Sequence, residues 1–225
     1  MKVRPLVVVG GAIVMAMLVT SAWAWPQIPA DARIPLDWGP SGEVTGYGPK
    51  WLGLLGLPAG ALGLVALLLL VPRIEPRRAN LARSAPAYLA IGTAGLGLIG
   101  AIHLAIVLVA LGNEVDISAV ALIGSGVVFA VVGNFLGKTR SNWFFGIRTP
   151  WTLTSELSWT RTHRLGGWVF LAAGVLVVLT TLLLGSAVAL WVMFGTLGIG
   201  LVAVFAYSYL VWRDDPARER TGATR

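Results

Sequence analysis

The chain has 225 residues, 56% hydrophobic and 12% charged, with a mean hydropathy of +0.80 and a formal net charge of +7. Soluble domains carry about 25% charged residues, so this composition excludes an ordinary water-soluble globule and points to a membrane protein. The absence of cysteine excludes a disulfide framework and thiolate metal sites.

Six apolar stretches reach the ~20 residues that a membrane-crossing helix needs. They lie near 5–25, 51–71, 87–111, 118–136, 166–185 and 188–212. The expected fold class is therefore an all-α integral membrane protein with six transmembrane helices. All Lys and Arg except Arg33 and Lys50 then fall on one side of the membrane. Segments rich in Lys and Arg stay in the cytoplasm, which predicts cytoplasmic termini and a long cytoplasmic loop between the fourth and fifth helices. This dispersed pattern is that of topogenic charge. With no nucleic-acid fold motif present, direct nucleic-acid binding is not expected.

The first stretch follows Lys2 and Arg4 and ends at Ala22-Trp23-Ala24, which also fits a secretory signal peptide. Trp23 and Trp25 fit an interfacial belt better, so a retained helix is expected. Cleavage after Ala24 would leave the same orientation. Segment 26–50 has five prolines and four glycines, which forbid a helix and favour extended pieces joined by turns. It faces outward and carries Asp37, Trp38 and Tyr47, either as a compact loop or as a binding surface. Segment 72–86 is basic and flanked by prolines, and is expected to lie along the anionic inner leaflet. The turn at 112–117 carries Glu114 and Asp116. A Gly-Ser-Ala turn at 185–187 predicts a tight hairpin of the last two helices, and the polar tail 213–225 is expected to be disordered.

His103 is the one ionisable side chain expected at membrane depth, with Asn134 near the inner end of the fourth helix. An intramembrane His without a nearby carboxylate fits an interhelical hydrogen bond better than a proton relay. With no nucleophile–base pair or ligand cluster, no catalytic, cofactor or metal site is predicted. The run GNFLGKT from Gly133 is one residue short of a phosphate loop and follows no strand. Gly56-xxx-Gly60 and Gly133-xxx-Gly137, with Gly92, Gly95 and Gly100, read as close helix packing.

The connection 137–168, reading GKTRSNWFFGIRTPWTLTSELSWTRTHRLGGW, exceeds what spanning requires. It is polar, aromatic and basic. Trp143, Phe144 and Phe145 are expected to anchor its start at the inner interface. Pro150 biases Thr149 towards an extended conformation. Ser155, with Glu156 behind it, signals a short helix ending at Arg164. Arg148 and Trp151 are expected to be exposed at the kink. The loop is either an interfacial helix whose arginines meet lipid phosphates or a docking platform for a cytoplasmic partner.

The run from Gly133 to Gly167 resembles the signature of SdpI-type membrane proteins, the immunity proteins against the sporulation-delay toxin. The matching residues are Gly133-Asn134, Lys138, Asn142, the run Phe145-Gly146-Ile147-Arg148-Thr149-Pro150-Trp151-Thr152, Trp159, Thr162-His163-Arg164 and Gly167. The first helix with IPLDWGPSGEVTGYGPK is similar to the DUF1648 segment often found ahead of it. Asp37 stands where that motif usually has His.

The resemblance implies an N-terminal DUF1648-like unit over 1–72, an SdpI-like membrane domain over 87–212, and a location in the bacterial plasma membrane. It implies a non-enzymatic protein that gives immunity to an extracellular peptide toxin and holds a small helix-turn-helix repressor at the membrane. The residues expected to bind that partner are Lys138, Asn142, Phe145, Arg148, Thr149, Pro150, Trp151, Trp159, His163 and Arg164. The alternatives are a small transporter or permease-like protein and a purely structural assembly partner.

Overall fold

The computed structural model describes residues 4–39 and 42–217. Lys2 and most of the tail, 218–225, fall outside them. Among the described residues six helices are long and apolar enough to cross a membrane: α1 (Arg4–Ala24), α2 (Lys50–Ile74), α4 (Ala85–Ala110), α5 (Ile117–Leu136), α7 (Glu156–Leu184) and α8 (Ser186–Arg213). Two short helices, α3 (Arg78–Arg83) and α6 (Pro150–Thr154), lie between spans. The protein is thus a mostly helical, multi-pass membrane protein, with spans within a few residues of those expected from the sequence except at α7.

The bundle has two halves. In one, α1, α2 and α4 close around Leu6, Val14, Met17, Val65 and Leu96. In the other, α5, α7 and α8 meet around Leu122, Val177 and Ala189. Contact between α4 and α5 joins them. The closest approach is α5 against α7. A Cβ added to Gly133 would lie 2.4 Å from the Leu171 backbone nitrogen, and one on Gly174 would lie 2.4 Å from the Gly126 carbonyl oxygen. Only residues without side chains allow that spacing. The close-packing reading therefore holds at Gly133, with Gly126, Gly167 and Gly174 completing the seam, while a Cβ on Gly137 would stand at an ordinary 3.5 Å from the Arg164 Cα. By contrast, Gly60 and Gly95 face open space and Gly56 meets only Leu52, so the Gly56-xxx-Gly60 spacing packs no helix.

The segment expected to be extended forms an antiparallel hairpin of β1 (Arg33–Trp38) and β2 (Val44–Pro49), preceded by a 3-10 turn at Trp25–Gln27. This adds a small sheet to the helical class. Ile34 is buried among Ala24, Leu54, Ile106 and Ile117, which seats the hairpin on the ends of α1, α2, α4 and α5. Lys50 is buried too. Its ammonium donates to the Trp25 and Ile28 carbonyls at 2.6 Å each and lies 4.8 Å from the Trp25 ring centre. A buried cation is tolerated here because carbonyl dipoles replace its water.

The largest departure from the sequence reading is in α7. Ser155 caps it as expected, accepting from the Ser158 amide at 2.9 Å, but the helix does not stop at Arg164. It runs unbroken for 29 residues into the fifth span. Gly166 and Gly167 cost about 1 kcal/mol each in a helix interior. Both are nonetheless needed: Gly166 makes room for Ile147, and Gly167 abuts the Gly133 carbonyl.

Candidate functional site

The connection 137–149 and α6 form a folded cap on one end of the bundle. Asn142, fully buried, organises its start. Its Oδ1 accepts from the Phe144 and Phe145 amides at 3.1 and 2.7 Å, and its Nδ2 donates to the Arg140 carbonyl at 2.9 Å. Gly146 follows at φ +111°, where a Cβ would lie 2.4 Å from His163 Nε2. That approach lets the Ile147 amide donate to His163 Nε2 at 2.9 Å, while His163 Nδ1 donates to the Trp159 carbonyl at 2.8 Å. The two bonds require a neutral imidazole with its hydrogen on Nδ1. Trp159 stacks on His163 with ring centres 3.9 Å apart and donates from Nε1 to the Thr139 carbonyl at 3.0 Å. Both are fully or nearly fully buried.

Thr149 is extended and caps α6, with Pro150 at its first turn. It exchanges hydrogen bonds with Thr152 and reaches the Ser208 hydroxyl at 3.2 Å. Trp151 is not exposed as expected. It packs edge-on between Phe205 and Tyr209 of α8, at 4.9 and 5.2 Å between centres. Ser155 donates to Asp215, whose carboxyl is held below the usual range by that bond and by the Ala217 amide.

A second set of residues, not singled out by the sequence reading, holds this cap from the other half of the bundle. Glu75, at the end of α2, is fully buried and accepts from the Arg77 amide and, with both oxygens, from the Trp143 amide. Arg77 donates to the Ser141 hydroxyl and the Leu153 carbonyl, and its guanidinium lies 5.7 Å from the Trp143 ring centre. Asn80 donates to the Ser141 carbonyl at 2.8 Å, and the Arg140 amide to Ser84 Oγ at 2.9 Å. Tyr88 meets Phe145 edge-on. Segment 72–86 therefore does not simply lie along a leaflet. Its polar side chains grip the cap, because the amides of an irregular loop need buried partners. The signal was there: Glu75 is the one acid among Arg73, Arg77, Arg78 and Arg83.

The candidate partner-binding residues thus divide. Asn142, Thr149, Trp159 and His163 are buried, Phe145 and Trp151 are partly buried, and Lys138, Arg148, Pro150 and Arg164 are exposed. Trp143 and Phe144 are 47% and 40% exposed. With Arg140 and Arg148, whose Nη1 donates to the Trp143 carbonyl at 2.6 Å, they make a basic and aromatic outer surface.

At the opposite end, Asp37 and Tyr47 are exposed on the hairpin. Trp38 lines a 460 Å³ cavity with Ser118, Leu122, Ser186, Met193 and Phe194. Asp116 at its edge caps α5 and accepts from Ser186 at 3.1 Å. Mid-bundle, His103 is buried and does bridge helices. Ser21 donates to the Leu54 carbonyl at 2.6 Å, so its oxygen accepts from His103 Nε2 at 3.1 Å. Asn134 is exposed on α5. Among the described residues no group of acidic or histidine side chains has the arrangement of a metal site.

Fold and cap together define a multi-pass helical membrane protein with a clamped loop at one end and a hairpin at the other. Residues 138–208 match the SdpI/YfhL protein family, and residues 12–62 match a domain of unknown function, DUF1648. Over these two regions the chain is similar to SdpI-type proteins, with the DUF1648-like segment ahead of the SdpI-like one. It is similar to the immunity protein SdpI of Bacillus subtilis (strain 168), 29% identical over 89 residues. That match covers 40% of this chain and 43% of the relative, less than half of either. No solved structure matches the chain.

Proposed function

We propose that this chain is a non-enzymatic immunity protein of the bacterial plasma membrane, protecting its cell from an extracellular peptide toxin. Its hairpin faces outward and its cap and both termini face the cytoplasm, in keeping with the distribution of Lys and Arg. Residues 1–72 form the DUF1648-like unit and 87–212 the SdpI-like domain. The toxin meets the hairpin and the 460 Å³ cavity beside Trp38. A small helix-turn-helix repressor docks on the surface of Arg140, Trp143, Phe144 and Arg148.

The observation that supports this reading is the cap itself. A loop pinned by Glu75, Asn142 and His163 presents aromatic side chains on a rigid support, and rigid aromatic anchors make binding surfaces. The test has two arms. Sensitive cells expressing the wild type should survive the toxin, and cells expressing Met193→Trp, which fills the cavity, should not. Failure of the wild type to protect removes the immunity reading. In the second arm, detergent-solubilised wild type should capture a small DNA-binding protein that a Phe144→Ala, Arg148→Ala double variant releases. Equal capture removes the docking surface.

A further inference from the structure

Two adjoining hollows lie on the outer face shared by α5 and α7. The one nearer the cap, 260 Å³, is lined by Asn134, Lys138, Arg164 and Trp168. The next, 400 Å³, is lined by apolar side chains such as Val127 and Val175, over the seam of Gly126 and Gly174. They meet at Asn134, which lines both. Trp168 is 68% exposed, Val127 51% and Val175 46%, so these residues face outward from the bundle, where a membrane protein meets lipid.

The polar groups here are unmet. Among the described residues neither Lys138 nor Arg164 pairs with a carboxylate, and Lys138 rests 5.0 Å from the Phe135 ring centre. The Asn134 side-chain amide, although exposed on a membrane-crossing helix, has no hydrogen-bond partner among them. An unpartnered amide on the outer face of a membrane-crossing helix is costly unless a lipid group or water supplies its partner. The exposed ring of Trp168 is of the amphipathic kind that favours the boundary between headgroup and hydrocarbon.

We propose that the two hollows form one site for a single anionic phospholipid. The phosphate lies between Lys138 and Arg164, as in other basic pockets between membrane helices. The Asn134 amide, about one helical turn deeper, donates to a glycerol ester carbonyl. One acyl chain lies in the apolar hollow along the glycine seam. A free phosphate would meet the two cations but leave the apolar hollow and Asn134 unserved, so the occupant is a lipid. The site stands independently of the immunity reading.

The full chain, purified in detergent, is offered equal amounts of phosphatidylglycerol and phosphatidylcholine with identical chains, and retained lipid is measured after washing. A basic residue near a membrane surface favours anionic lipid by about fivefold, so two should give a preference of tenfold or more. A Lys138→Gln, Arg164→Gln double variant should lose that preference while retaining phosphatidylcholine unchanged. A Val127→Trp, Val175→Trp variant, which fills the apolar hollow, should retain less of both lipids. Inorganic phosphate should fail to displace the bound lipid. Thermal unfolding in detergent alone checks that each variant is folded, and phosphatidylglycerol should raise the midpoint of the wild type only. Equal retention of both lipids by the wild type, or a preference that survives the double variant, overturns the proposal. Displacement by inorganic phosphate also overturns it and leaves a simple anion site.

Discussion

Glu75 and Trp143 are 68 residues apart in the chain, yet both carboxylate oxygens of the first lie 3.0 and 3.3 Å from the backbone nitrogen of the second. This contact ties the end of α2, in one half of the bundle, to the cap built on the other half. A buried carboxylate is stable only when hydrogen-bonded, and the Arg77 amide at 2.8 Å supplies the second donor.

Replacing Glu75 with Ala strands these two donors. The expected cost is about 1–3 kcal/mol, the range for an unpaired buried group. The clearest readout is local. Trypsin should cut at Arg140 and Arg148 faster in the variant than in the wild type, with cleavage elsewhere unchanged. If cleavage at those two sites stays at the wild-type rate, Glu75 does not hold the cap.

His163 offers a test in which two effects separate. His163→Phe keeps a ring against Trp159 but removes the acceptor for the Ile147 amide. His163→Ala removes both. The alanine variant should lose about 2–4 kcal/mol, the phenylalanine variant less, in detergent unfolding. A phenylalanine variant as unstable as the alanine one would show that the hydrogen bond outweighs the stack.

The glycine seam predicts a sharp contrast. Gly133→Ala must push α5 from α7, because its Cβ meets backbone and not a movable side chain. A loss of about 2 kcal/mol or more is expected. Gly60→Ala and Gly95→Ala face open space, and alanine suits a helix better by roughly 1 kcal/mol. These two should be neutral or stabilising in the same unfolding measurement.

The tail contact should depend on pH. The carboxyl of Asp215 sits below its usual value because Ser155 and the Ala217 amide hydrogen-bond its charged form. A depressed native value contributes stability above the ordinary carboxyl value of about 3.9 and loses it as pH falls through the native value. Protection of the amides at the end of α8 and over 214–217, measured relative to their intrinsic exchange rates, should therefore fall below pH 4. Asp215→Asn should show the low protection at every pH.

Much of the fold was legible because spans are written as length and apolarity. Ser155 as a cap and Thr149 as an extended residue were legible from local chemistry. The Gly166-Gly167 pair misled, because its helix cost is visible in sequence while the Ile147 and Gly133 contacts that compensate are not. Trp151 misled for the same reason: an aromatic beside a proline kink looks exposed until Phe205 and Tyr209 are placed against it. The grip of Glu75, Arg77 and Asn80 joins residues 61 to 76 positions apart, and no periodicity in one sequence announces such a pairing.

The unbroken run of α7 gives the cap a mechanical meaning. At 29 residues the helix is about 44 Å long, against a hydrocarbon layer of about 30 Å. Trp159 and His163 ride on its projecting turns, and each holds the loop by a directional bond. Turning this shaft by a single residue step, about 100°, would swing both side chains off the Thr139 carbonyl and the Ile147 amide. The loop is thus keyed to one angular setting of α7, and its attachment reports the rotation of a rod whose far end stands beside the hairpin.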